Sequence, residues 1–166
     1  MDIDMLPVDL PVDVARAERV LLGTDEITIL ATCAETGGAL FAVQVRMRPG
    51  GGPPVMHRHE PGEIYHVIAG EFTFYVGAAG GVRRVVAVAG DVVPLAGGTP
   101  HTIRNESTAD AVAFVVHAPG APMEGFSRAA AAAAANGDLT METALSIAAR
   151  CGIEMLGPVP DTIERH

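Results

Sequence analysis

The sequence predicts an all-β domain, an antiparallel sandwich or barrel, finished by two short helices. Three observations predict it. Short valine-rich runs recur between glycine turns from residue 26 to residue 117; residues 40–48 alternate strictly between apolar and polar; and after Pro122 the strand-forming residues give way to an unbroken alanine run, Ala129–Ala135, closed by Asn136-Gly137.

The elements follow in order. Residues 1–22, with Pro7 and Pro11, read as an irregular arm ending in a short edge strand. Glu26–Thr32 is a strand, and the ETGGAL segment after it is a turn by its paired glycines. Leu40–Arg48 puts Phe41, Val43, Val45 and Met47 on one face and Ala42, Gln44, Arg46 and Arg48 on the other. After the break at 49–54 come the stretch around His57 and His59, a Pro61-Gly62 turn, the run Ile64–Ala69, and Phe72, Phe74 and Val76 at period two. Val82–Ala89, Val92–Leu95, His101–Asn105 and Val112–His117 complete about nine strands, a spacing that suits antiparallel pairing rather than alternating β and α units. Residues 23–120 are therefore the expected β-domain, and 121–166 a helical tail packed upon it. Its second helix, about Thr140 to Arg150, carries Met141, Ala144, Leu145 and Ala148 at helical spacing.

Composition narrows the function. The chain has 166 residues, enough for one domain with a real core, and a net charge of −9 from 20 acidic and 11 basic residues. All the basic residues are arginine. An acidic chain without a basic patch is a poor binder of nucleic acid, and the absence of lysine excludes an internal Schiff base. Cys33 and Cys151 stand in no metal-binding spacing and read as free, buried thiols. No signal peptide or 20-residue apolar span is present, so the expectation is a soluble, cytoplasmic protein that contacts no membrane.

The chemistry concentrates in GGPPVMHRHEPGEIYHVIAG, residues 51–70. His57 and His59 are two apart, so on an extended strand both imidazoles leave one face with Cα atoms roughly 6.5–7 Å apart. Glu63 follows the Pro61-Gly62 turn, where an antiparallel return would bring its carboxylate back toward them. His101, in GGTPHTIRN, can add a third nitrogen. Three imidazoles and a carboxylate suit one divalent transition metal, Fe, Ni, Co, Mn, Zn or Cu, and leave coordination positions for a small-molecule substrate. His66, three residues after Glu63, falls on the opposite face. His117 is either a hydrogen-bond donor behind the ligands or a core histidine. Tyr65 can reach a substrate or fill the core, and so can Phe41, Met47, Phe74, Ile103 and Phe114. Arg46, Arg48 and Arg58 read as solvated or interface charges.

These residues carry a resemblance. Gly51, His57, His59, Glu63 and Gly70, then Gly90, Gly98, His101 and Asn105, fit the two metal-binding motifs of the cupin superfamily, with Ala96 where the second motif has proline. GGGPPVMHRH and the two-helix tail resemble a subgroup similar to bacterial quercetin dioxygenases. The resemblance implies a jelly-roll, RmlC-like cupin β-barrel with two C-terminal α-helices, a homodimer, and a dioxygenase acting on a small aromatic or enolisable substrate such as a flavonol. In that activity Glu63 is both a metal ligand and the base that takes the substrate's hydroxyl proton. The alternatives are a non-catalytic small-molecule-binding or sensing cupin and a metal-dependent isomerase or lyase.

Overall fold

The structure, a computed structural model, describes residues 10–161 and 163–164. Its strands are β1 (Arg19–Leu22), β2 (Asp25–Ala31), β3 (Phe41–Met47), β4 (Met56–Arg58), β5 (Gly62–Ala69), β6 (Glu71–Ala78), β7 (Gly81–Val88), β8 (Val92–Leu95), β9 (His101–Arg104) and β10 (Ala111–Ala118). Helices α1 (Ala121–Ala135) and α2 (Met141–Arg150) follow, then β11 (Glu154–Gly157) and β12 (Ile163–Glu164). The strands form two six-stranded sheets, ordered β1-β2-β3-β10-β5-β8 and β11-β4-β9-β6-β7-β12. Pairing is antiparallel except where β12 runs parallel to β7. Among the described residues no ladder joins the two sheets, so the barrel expected from the sequence is an open double sheet.

Apolar alternation aims the core. On β3, Phe41, Val43 and Met47 are buried, and on β5 Glu63, Tyr65 and Val67 point inward while Ile64, His66 and Ile68 point out. Phe72, Phe74, Ile103, Ala113 and Val115 complete the interior. Pro94 sits on β8, an edge strand, where its missing N–H interrupts no interior ladder.

Helix α1 starts six residues before the Ser127 that opens the alanine-rich stretch. Pro122 lies in its first turn, where the N–H that proline lacks has no helical partner to lose. Its end is as expected, with Gly137 at φ +75°. Glu124 accepts from the Cys33 amide at 2.8 Å, and Arg128 pairs with Glu18 at 2.8 Å, so α1 lies against the first sheet. In α2 the Thr140 hydroxyl caps the Thr143 amide, and the buried residues are Ile147 and Ala148. Met141 and Leu145, expected on the packed face, are exposed. The tail then returns as β11, which pairs with β4.

Candidate metal centre

The Pro61-Gly62 segment does not fold β4 and β5 into the hairpin read from the sequence. β4 pairs with β9 and β11 in the second sheet, whereas β5 pairs with β10 and β8 in the first. The segment carries the chain across, so Glu63 meets the histidines from the facing sheet. His101 arrives differently: it stands opposite His57 in the β4–β9 register, with ring centroids 4.5 Å apart. On the other side of β4, Met155 stands opposite His57.

His57, His59 and His101 are all buried, and their ligating nitrogens lie within 4.8 Å of one another. Each ring is held by its other nitrogen. Nδ1 of His57 faces the Val55 carbonyl at 3.4 Å, Nδ1 of His59 the Pro61 carbonyl at 2.9 Å, and Nδ1 of His101 the Thr99 carbonyl at 2.8 Å. A carbonyl only accepts, so each Nδ1 carries a proton, and in the neutral ring each Nε2 keeps a lone pair. The Glu63 carboxylate faces those lone pairs, with Oε1 3.7 Å from His59 Nε2 and in close contact with His101 Nε2. Nε2 of His59, Nε2 of His101 and Glu63 Oε1 are all buried without a hydrogen-bond partner. Converging lone pairs that satisfy nothing are what a cation site presents, so the residues fit a metal ion.

Two further groups hold the other carboxylate oxygen. His117 Nε2 lies 2.8 Å from Glu63 Oε2, and the Tyr65 hydroxyl donates to the same oxygen at 3.3 Å. Tyr65 rests edge-to-face on Phe74, centroids 5.1 Å apart. Electrostatics follow from burial and these contacts. Burial lowers the pKa of His57 to about 4, reinforced by neighbouring His101, and also lowers that of His59. Burial alone would raise Glu63, but the adjacent His101 and His117 imidazoles outweigh it and hold the carboxylate well below its ordinary range. For His101 burial pulls downward and Glu63 wins, leaving its pKa raised.

A cavity of about 150 Å³ opens beside Glu63 and His57. Phe41, Met47, Tyr65 and Ile103 line it, as does His117. Phe74 does not; it is fully buried in the core. Phe114 departs from expectation, since it points outward and is 36% exposed. It lies three positions before His117, so the two cannot share a strand face. The C-terminal tail contributes Met123, Phe126, Ile153 and Met155 to the wall, which nothing in their local sequence announced. Arg46 pairs with Asp110 and Arg58 with Glu154, both at the surface.

A family model described as "Cupin domain" matches residues 43–117. None of the curated proteins searched matches the sequence. Among solved structures, a predicted oxalate decarboxylase from Thermotoga maritima is 23% identical, over 64% of this chain and 96% of that one, with a TM-score of 0.55. An RmlC-like cupin from Shewanella frigidimarina is 18% identical, covering 68% and 92%, TM-score 0.56. The polyketide cyclase RemF from Streptomyces resistomycificus is 16% identical, covering 65% and 78%, TM-score 0.57. At these identities the likeness is one of fold.

Proposed function

Residues 43–117 place the chain in the cupin superfamily, and from that premise we propose a metal-dependent dioxygenase acting on a small enolisable or aromatic hydroxyl compound. The observation that carries the metal is the convergence of His59 Nε2, His101 Nε2 and Glu63 Oε1, three buried lone-pair atoms without partners. His57, His59, His101 and Glu63 would hold the ion, which supplies Lewis acidity and, if redox-active, access to O₂. The chain's own residues do the rest. The apolar cavity binds the carbon skeleton and keeps water from it. Glu63 takes the substrate's hydroxyl proton, and His117 and Tyr65 fix the carboxylate through Oε2 so that Oε1 stays directed at the histidines.

Cavity size favours a compact substrate. A dry cavity of roughly 150 Å³ accommodates one benzene ring, so a small 1,3-diketone fits the enclosed volume, whereas a three-ring flavonol requires the covering tail residues to move. The deciding measurement is O₂ uptake by protein loaded in turn with Fe, Ni, Co or Mn and offered 1,3-diketones and flavonols. Uptake with a diketone supports the proposal; no uptake with any metal sinks it. A second reading, a metal-dependent isomerase or lyase, is favoured by the Tyr65–Glu63–His117 chain, which can relay a proton without oxygen. Turnover that persists under anaerobic conditions would select it, and tight binding without turnover would indicate a sensing cupin. The homodimer belongs to the same proposal: Ile64, Ile68 and Phe114 stand exposed on the outer face of the first sheet. Sedimentation as a monomer at micromolar concentration overturns it.

A further inference from the structure

The cavity has a second carboxylate, far from the histidines. Asp25 opens β2 and lines the cavity together with Met47 and Leu22. Glu26 stands opposite Arg46, which sets Asp25 beside Met47 at one end of β3; Glu63 stands opposite His117, and His117 opposite Phe41, at the other end. The six-residue offset corresponds to roughly 20 Å along the strand. The two carboxylates therefore mark opposite ends of the chamber.

The Asp25 side chain is fixed from one side only. Oδ2 accepts from the Gly52 amide at 3.1 Å, while Oδ1 is buried and has no partner. Burial raises the pKa of this carboxyl, opposed by the Gly52 amide and the Thr24 side chain. Gly51 is part of the fit: a Cβ there would sit 2.8 Å from Met47 Cγ and closer still to Asp25 Oδ1. An unpartnered carboxyl oxygen beside apolar Leu22, Ile27 and Met47 is costly unless something meets it.

We propose that Asp25 is a specificity-determining residue, the polar anchor that takes the hydroxyl of a mainly apolar ligand at the end of the cavity away from the histidines. A hydroxyl suits Oδ1 in either protonation state, donating to the carboxylate or accepting from the carboxylic acid. The proposal rests on the reading of this cavity as a small-molecule site, and a compact ligand whose hydroxyl meets Asp25 sits at the end away from Glu63 rather than spanning the two carboxylates.

The test uses two probes of similar shape, phenol and toluene, and measures their affinities by calorimetry on the full chain with EDTA present, so that metal binding does not enter. Wild-type protein is expected to bind phenol more tightly than toluene. Asp25→Ala should weaken phenol about tenfold, the scale of one hydrogen bond to a charged group, and leave toluene unchanged. Asp25→Asn keeps the Gly52 bond through its amide oxygen and serves if the alanine variant does not fold; phenol should weaken at least threefold there, again without change in toluene. Undetectable phenol binding, no preference for phenol in the wild type, or equal losses for both probes in the variants overturns the proposal, the last by showing that Asp25 only holds the Gly52 loop. Asp25-dependent phenol preference alongside absent O₂ uptake would remove the dioxygenase reading and leave this one standing.

Discussion

At the residue scale, the site works by dividing labour between the two nitrogens of each imidazole. Carbonyls of Val55, Pro61 and Thr99 accept from the Nδ1–H groups and so aim three Nε2 atoms inward. His117 has the reverse duty, spending Nε2 on Glu63 Oε2. Replacing it by alanine frees that oxygen while leaving every proposed ligand in place. Metal affinity, measured by competition with a chelating dye, is expected to fall about 10- to 100-fold, the usual effect of removing a ligand's hydrogen-bond partner. The pKa of His57 gives a second prediction, for the metal-free protein. Its folded value, about 4, lies below the ordinary 6.5, so the unfolded chain binds a proton that the folded one refuses between those pH values. Stability contributed by neutral His57 is complete above pH 6.5 and is lost as pH falls toward 4, about 3 kcal/mol at most. His101, shifted upward, works against this fall because its proton stabilises the fold until pH rises through its own raised value. Urea titrations of EDTA-treated protein at pH 7 and pH 4.5 should therefore show lower stability at the acid end, and His57→Phe should flatten the difference. The convergence of His57, His59 and His101, with Glu63 facing them, was legible because their spacing is local to two short segments. For His117 the sequence left a donor behind the ligands and a core histidine both open, and the contact of Asp25 with Gly52 was not legible at all, since each is fixed by residues dozens of positions away.

At the scale of elements, the ligand strand β4 is only three residues long and is held between β9 and the returning tail strand β11. Its geometry depends on the chain crossing cleanly from sheet to sheet. Gly70 makes one such crossing, between β5 and β6. It adopts φ +72°, and a Cβ there would stand 2.8 Å from Ala111 Cα and nearer still to the Asp110 carbonyl. Gly70→Ala therefore combines left-handed strain with a backbone clash. It should cost at least about 2 kcal/mol, seen as a melting temperature lower by about 4–8 °C. Elements were readable where two faces differ in polarity, as on β3 and at the inward end of β5. The β10 run Val112–Val116 is apolar on both faces, so its parity could not be read, and Phe114 was placed inside when the pairing of β10 with β3 and β5 turns it out. The Pro61-Gly62 turn misled for a related reason: turn residues specify a change of direction, not which sheet receives the next strand.

At the scale of the whole molecule, the proposed ligands arrive from both sheets. His57 and His101 lie on β4 and β9, His59 follows β4, and Glu63 heads β5 across the interior. An ion bound by all four would tie the sheets together at one point, and no such tie survives in the unfolded chain. Binding should thus appear as global stability. At a free metal concentration 100 times the dissociation constant the linkage contributes about 2.7 kcal/mol, which for a domain of this length corresponds to a melting temperature higher by roughly 5–10 °C. Calorimetric scans of EDTA-treated protein with and without added Fe, Ni, Co, Mn or Zn measure it. The rise should vanish in His101→Ala, whose ligand comes from one sheet, and in Glu63→Ala, whose ligand comes from the other. A rise that persists in Glu63→Ala would mean that the histidines alone bind the ion within the second sheet, and the carboxylate would then be left to proton transfer alone.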